Sequence, residues 1–221
     1  LPEAQDAEVI FSAGEWKTNA LLIAEVAKLG YLQDGWRILD PTYGRGGWWR
    51  VWSPSFPPLE ARTHVDGWDF RAMDYDDETF DAVTFDPPYV AVGGRTTSGI
   101  KGMHDAYGMG NAPTSPDAVQ DDINRGLVEC YRVLKPGGIC LVKCQNYVSS
   151  GKMFPGVYLT WHYARFWAGG DCGEIPGFDY VDEFLHVAGP RPQPPGRRQL
   201  HARVNHSTLF VFRKPKRRKR G

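Results

Sequence analysis

Residues 86 to 89 read Asp-Pro-Pro-Tyr and follow the apolar run Phe80-Asp81-Ala82-Val83-Thr84-Phe85. Two consecutive prolines fix two φ angles and remove two N–H donors. Backbone carbonyls and the Asp86 carboxylate are left as a cluster of acceptors with no local donor. Such a cluster suits a donor-rich ligand, and the exocyclic amino group of a nucleobase is one. Tyr89 offers a ring on which the rest of a base could stack. The plainer alternative is a proline turn that closes a strand, with Asp86 as its cap.

Upstream, Trp36-Arg37-Ile38-Leu39-Asp40 reads as a short strand running into Pro41-Thr42-Tyr43-Gly44-Arg45-Gly46-Gly47. The glycines allow positive φ and a close approach of backbone to ligand, and a helix N-terminus following the loop would supply free N–H groups. The loop fits neither the dinucleotide fingerprint nor the P-loop, whose lysine and Ser/Thr are missing. An aspartate before the loop would repel phosphate and suits a cationic or amino-acid-bearing ligand.

Together the two segments resemble the first and fourth motifs of the amino-group DNA methyltransferases, S-adenosylmethionine-dependent enzymes that modify adenine N6 or cytosine N4. The first motif there is a D-P-x-x-G-x-G-like loop, here Asp40 to Gly46, and the fourth is [DNS]-P-P-[YFW], here Asp86 to Tyr89. Asp69-Phe70-Arg71-Ala72-Met73, followed by Asp77 to Asp81, is similar to the segment that precedes strand four in that family. Val133 to Ile139, with Lys135-Pro136-Gly137-Gly138, is similar to its turn into strand five. The resemblance covers residues 15 to 150 and, more loosely, the C-terminal hairpin.

The resemblance implies an α/β class I methyltransferase (Rossmann-like) fold, with a mostly parallel seven-stranded sheet and an antiparallel C-terminal strand. It implies S-adenosyl-L-methionine as cofactor, held by Trp16, Lys17, Thr18 and Asn19, by Asp40, Pro41, Thr42, Tyr43, Gly44 and Gly46, and by Asp66, Asp69 and Phe70. Asp86, Pro87, Pro88 and Tyr89 would be catalytic. The chain departs from the family between Pro58 and Asp69, where too few residues remain for a full helix after strand two. Asp66 is therefore taken as the ribose contact, with Glu60 as the alternative.

The implied mechanism begins with a base swung out of its stack. Tyr89 stacks on it, while Asp86 and the Pro87 carbonyl accept the amino hydrogens and aim the nitrogen lone pair at the sulfonium methyl. Positioning and desolvation are the main aids. Asp-Pro-Pro-Tyr is commoner with adenine N6, so a site-specific DNA adenine-N6 methyltransferase is the expected activity. Cytosine N4 methylation, RNA amino-group methylation and an inactive nucleic-acid-binding module are the rivals, with a nicotinamide-dependent oxidoreductase as the outlying one.

At 221 residues, 42% hydrophobic and 24% charged, the chain is ordinary globular material for a single domain, here taken as 1–212. It has no apolar run of the ~18 residues a membrane span needs. Its N-terminus lacks the basic start and apolar core of a signal peptide. Cysteines 130, 140, 144 and 172 form no C-x-x-C pair, so no metal site or disulfide framework is expected, and a reducing compartment is. By analogy that compartment is the cytoplasm of a bacterial or phage-infected cell. A homodimer is left open.

Formal charge is zero, yet residues 213–221 carry Arg213, Lys214, Lys216, Arg217, Arg218, Lys219 and Arg220 and no acid. Such a tail reads as flexible and phosphate-seeking. Residues 90–116, with six glycines, form a connection of 27 residues, longer than packing requires, and read as a substrate loop. Arg95, Lys101, His104 and Tyr107 are its candidate nucleic-acid contacts. The Pro/Arg-rich loop 188–206 offers Arg197, Arg198, His201 and Arg203.

Alternating helix and strand signals must position these groups. Thr18 or Asn19 can cap a helix over 19–29 with Leu22, Val26 and Leu29 as its stripe, ended by Gly30. Strands are expected at 36–40, 80–86 and 139–143. A helix starting at Ser115-Pro116-Asp117 repeats Val119, Ile123, Leu127, Tyr131 and Leu134. Residues 180–187 and 207–212 read as the final antiparallel pair.

Overall fold

A computed structural model describes residues 9–63, 66–89, 113–169, 177–189, 200–202 and 204–216. Nine strands and three helices lie among them. In chain order they are β1 (Ala13–Gly14), α1 (Asn19–Lys28), β2 (Ile38–Asp40), β3 (Glu60–Ala61), β4 (Phe80–Phe85), α2 (Pro116–Val133), β5 (Leu134–Cys144), β6 (Tyr147–Ser149), β7 (Lys152–Phe154), α3 (Gly156–Phe166), β8 (Asp179–Val187) and β9 (His206–Arg213).

The seven-stranded sheet runs β1-β8-β9-β5-β4-β2-β3, and β6 and β7 form a separate hairpin. Every neighbouring pair is parallel except β5·β9 and β8·β9, so β9 alone runs against the rest. This is the mostly parallel sheet with an antiparallel C-terminal strand that was expected. From β2 the chain steps outward to β3 on one side and returns to β4 on the other. The C-terminal ends of β2 and β4 therefore flank a topological switch point, where open α/β sheets hold ligands.

The sheet is buried on both faces. Leu22, Ile23 and Val26 of α1 meet Ile38, Ala82, Leu141 and Val211 on one side. Ile123, Leu127 and Cys130 of α2 meet Leu39, Val83, Phe85, Val142 and Phe212 on the other. Strand side chains alternate between faces. Residues 38 and 40 of β2, 82, 84 and 86 of β4 with its extension, and 139, 141 and 143 of β5 thus share the α1 face. Phase alone brings Asp40, Asp86 and Lys143 to one side at the C-terminal ends of three adjacent strands.

Both expected caps are present: the Thr18 hydroxyl accepts from the Leu21 N–H, and Ser115 caps α2 with Pro116 at its first turn. Leu29, read as part of the α1 stripe, is instead its C-cap and is exposed. Leu134, read as the last buried position of α2, opens β5, which begins five residues earlier than expected and takes in the Lys-Pro-Gly-Gly turn. No described helix follows the glycine loop: residues 43–49 are turns, closed by Gly46 N–H to the Tyr43 carbonyl at 2.9 Å and Trp49 N–H to the Gly46 carbonyl at 3.2 Å. Two positive-φ glycines and the prolines at 54, 57 and 58 leave too little chain with helical preference.

Two residues expected in a flexible basic tail from 213 belong to the fold instead. Arg213 closes β9, and Lys214 is buried, its Nζ donating to the Leu134 carbonyl at 2.7 Å and lying 4.8 Å from the Tyr131 ring centre. Because β9 is antiparallel, this exit lies at the N-terminal edge of β5, across the sheet from the switch point. Among the described residues no helix is long and apolar enough to cross a membrane.

Candidate active site

Asp40 is the last residue of β2 and is buried. Its Oδ1 accepts from the Thr42 amide at 3.0 Å and from the Thr42 hydroxyl at 3.3 Å, and its Oδ2 accepts from the Trp49 indole at 2.7 Å. One step past β4, Asp86 accepts from the Trp48 indole at Oδ2, 2.9 Å away, and donates its own amide to the Thr42 hydroxyl at 2.9 Å. Among the described residues Asp86 Oδ1 has no hydrogen-bond donor. The Thr42 hydroxyl thus joins the ends of two parallel strands, and two successive indoles each serve one carboxylate.

Sequence reasoning missed Trp48 and Trp49. The signal was available: a Trp-Trp pair directly after a glycine loop, beside two acidic strand ends. An indole N–H is a donor only, and a buried one seeks an acceptor.

Desolvation dominates the electrostatics. Burial pushes Asp40 up to about 7, opposed by the Trp49 and Thr42 hydrogen bonds and reinforced by the charge of Asp86. Asp86 is likewise raised by burial, while the Lys143 charge and the Trp48 indole pull it back. Lys143 is only 5% exposed, and its Nζ donates to Asn19 Oδ1 at 2.8 Å. Asn19 is the first residue of α1, so the helix start, the β5 end and the β4 corner converge.

A cavity of about 230 Å³ opens between these groups, lined by Asn19, Asp40, Thr42, Tyr43, Gly44, Arg45, Gly47, Trp48 and Asp86. Gly44 and Gly46 both take positive φ, 55° and 67°. A Cβ on Gly46 would run into the Tyr43 ring, 2.6 Å from its Cζ, so glycine there is required by contact as well as by conformation.

Of the expected cofactor residues, the structure gathers Asn19, Asp40, Thr42, Tyr43 and Gly44 around this cavity together with Asp86. Pro41 is buried at the strand end, and Gly46 lies against the Tyr43 ring. Thr18 caps α1, and Lys17 beside it is exposed. Trp16 packs edge-on to Phe184 and His186, and its carbonyl accepts from His186 Nε2 at 2.7 Å.

Asp66 is exposed beyond β3. Its alternative, Glu60, accepts from Arg62 at 2.6 Å and from the Tyr75 hydroxyl at 2.8 Å. Asp69 holds Arg71 through both oxygens, at 2.8 and 2.9 Å, and Arg71 reaches on to Asp122 of α2. Phe70 is buried in the core, 5.3 Å from the Phe85 ring centre. Neither Asp66, Asp69 nor Phe70 lines the cavity.

Pro87 is buried, Pro88 is partly buried, and Tyr89 packs against the α2-side core. Tyr89 is not in the cavity wall. His201 Nε2 lies 2.7 Å from the Gly151 carbonyl, to which it donates, and so ties its loop to the turn between β6 and β7. Arg95, Lys101, His104, Tyr107, Arg197, Arg198 and Arg203 lie outside the described residues.

No protein-family model matches the chain, and no curated protein matches it in sequence. Solved structures do match in shape. The [4+2]-cyclase SpnF superposes with a TM-score of 0.51 at 15% identity, over 94% of this chain and 85% of that one. A protein of Galdieria sulphuraria, provisionally described as a sarcosine dimethylglycine methyltransferase, gives 0.50 at 13% identity, over 89% and 85%.

A protein of Thermus thermophilus, provisionally described as a DNA modification methylase and complexed with S-adenosyl-L-methionine, gives 0.43 at 17% identity, over 84% of this chain. The chain spans 58% of that protein's length. At such identities the likeness is one of fold. A seven-stranded, mostly parallel sheet with one antiparallel strand, covered by helices on both faces, is the class I methyltransferase fold.

Proposed function

We propose that the chain is an S-adenosylmethionine-dependent methyltransferase acting on an exocyclic amino group of a DNA base, adenine N6 in the first instance. The observation that carries this reading is the Asp86 carboxylate. One oxygen is fixed by Trp48 and the other has no donor among the described residues, in a cavity shared with the glycine loop after β2.

The lining fits the cofactor by its chemistry. Carboxylate, hydroxyl and amide oxygens of Asp40, Thr42 and Asn19 surround a loop whose glycines admit close approach, which suits a ligand bearing an amine and a cationic sulfur. Asn19, Thr42, Tyr43 and Gly44 would hold it. When bound, S-adenosylmethionine supplies a methyl group activated by positive charge. The chain's own part is to orient and desolvate. Asp86 Oδ1 and the Pro87 carbonyl accept the two amino hydrogens, which takes the nitrogen lone pair out of conjugation with the ring. Tyr89, immediately beyond, supplies the stacking surface. No nucleophilic cysteine is called for, and Cys144, the cysteine next to Lys143, is pushed far above the ordinary thiol range by burial and stays protonated.

The test is transfer of labelled methyl from S-adenosylmethionine to unmethylated duplex DNA, with nucleoside mass spectrometry of the product. N6-methyladenine that disappears with Asp86→Ala is the expected result. N4-methylcytosine would keep the mechanism and change the base. Transfer to RNA but not DNA would move the substrate class, and no binding of S-adenosylmethionine would end the reading.

A further inference from the structure

Lys143 is the observation that the proposed chemistry leaves unused. It sits at the C-terminal end of the central strand β5, 5% exposed, in a strand otherwise filled there by Leu141, Val142 and Cys144. Lysine is almost never this buried without a partner, because removing an ammonium from water is costly. Its ammonium donates to a neutral acceptor, Asn19 Oδ1, at 2.8 Å. Countercharge must come from elsewhere. The register of β4 on β5 pairs Phe85 with Val142, so the next step places Asp86 alongside Lys143, on the same face by strand alternation.

We propose, resting on the reading of Asp86 given above, that Lys143 is a positioning residue for methyl transfer: its buried ammonium, held by Asn19 at the start of α1 and set alongside the β4 corner by strand register, keeps Asp86 as the carboxylate that accepts the amino hydrogens. Asp86 in its neutral form would carry a proton where the substrate needs an acceptor. The surroundings set up this dependence. Burial disfavours ionisation of Asp86, and Asp40, on β2, is a second buried carboxylate that is raised by its own burial and by the charge of Asp86. The Trp48 indole helps the ionised form, but Lys143 brings the full positive charge.

Tyr43 and Arg45 line the same cavity as Asp86, but Arg45 is exposed and Lys143 is the cation whose charge acts on Asp86. Two further titratable groups feel the Lys143 charge. His186 of β8 feels the Lys143 charge and is lowered, first by burial. Cys144 feels Asp86, Lys143 and Glu183 and remains a neutral thiol. Neither can replace the ammonium.

The test follows the Asp86 carboxyl carbon by NMR against pH in the full chain, labelled at aspartate and assigned by loss of the signal in Asp86→Asn. Lys143→Gln keeps an amide donor for Asn19 and removes the charge. Lys143→Met removes both, and Lys143→Arg keeps the charge. In the Gln and Met variants the Asp86 midpoint is expected to rise by about one pH unit or more, a tenfold change in its protonation equilibrium, the size a nearby opposite charge produces. The Arg variant should stay close to the wild type.

An unchanged midpoint in whichever of Gln and Met folds, as judged by thermal melting, overturns the proposal. So does an equal shift in all three variants, since shape rather than charge would then be responsible. Methyl transfer measured in parallel separates the two readings. A wild type that transfers no methyl defeats the proposed function and leaves the titration readable. An active wild type whose rate keeps the same acidic limb in Lys143→Gln defeats the role of Lys143 alone.

Discussion

Trp49 donates its indole N–H to Asp40 Oδ2 at 2.7 Å, across nine residues of chain, and so closes the glycine loop back onto the strand it leaves. Both partners are buried, Asp40 at 4% exposure and Trp49 at 8%. Trp49→Phe keeps most of the ring's packing and leaves a buried carboxylate oxygen without its donor. An unmade buried hydrogen bond of this kind costs about 1 to 3 kcal/mol. Urea unfolding should show that loss for Trp49→Phe. A stability within a few tenths of wild type would mean that water replaces the indole.

The same aspartate gives a pH dependence with a definite sign. Its folded value is about 7 against an ordinary 3.8. Between those two values the folded chain holds a proton that the unfolded chain has released, so the unfolding free energy falls as pH rises through this window and levels off above it. Asp86 is raised in the same direction, which makes the single variant the proper reference. Asp40→Asn should abolish its part of the slope. Urea unfolding of wild type and Asp40→Asn, compared from about pH 5 to pH 8, should give curves that diverge with pH. Parallel curves would show that Asp40 titrates normally.

Thr42 links the two strand ends by one hydroxyl, accepting from the Asp86 amide at 2.9 Å and donating to Asp40 Oδ1 at 3.3 Å. Valine has nearly the same shape and neither function. Thr42→Val should therefore cost about 1 to 3 kcal/mol in stability. It should also lower methyl transfer more than it lowers cofactor binding, because the Asp86 backbone loses its anchor. Thr42→Ser keeps the hydroxyl and should recover most of both. A loss in Thr42→Ser with little change in Thr42→Val would point to packing of the methyl group rather than the hydroxyl.

Much of this arrangement was legible because it rests on local rules. The caps at Thr18 and Ser115, the apolar phase of α2 and the Asp-Pro-Pro corner after an apolar run are all short-range signals. What escaped depends on partners distant in sequence. Lys143 reads as the polar end of a strand until Asn19, 124 residues away, is brought beside it. Trp48 and Trp49 read as ordinary apolar residues until the sheet sets Asp86 next to Asp40. Strand β3 has two residues and no periodicity to detect. The expectation that no full helix fits between Pro58 and Asp69 agrees with the described residues of that stretch, 58–63 and 66–69, which contain no α-helix.

Helix α3 was illegible for a different reason, and that reason can be tested. Its sequence, Gly-Val-Tyr-Leu-Thr-Trp-His-Tyr-Ala-Arg-Phe, shows aromatics in most places where a core stripe would be sought. Yet the buried positions are Gly156, Thr160 and Ala164, a stripe of small residues at i, i+4 and i+8, while Tyr158 and Phe166 are 59% and 50% exposed. Small side chains let the helix axis approach its neighbours closely, and α3 sits on α2 and β5 with no room for more. Ala164 is fully buried, and its carbonyl accepts from the Phe178 amide at 2.9 Å, so the backbone there cannot retreat without breaking the entry to β8. Ala164→Leu, which would improve the helix by apolarity alone, should instead destabilise by about 1 to 3 kcal/mol through overpacking. Phe166→Ser, on the exposed side, should change stability by no more than about 0.5 kcal/mol. Thermal unfolding of the two variants decides the matter: a neutral Ala164→Leu with a damaging Phe166→Ser would mean that the aromatic side, not the small one, is the face that packs.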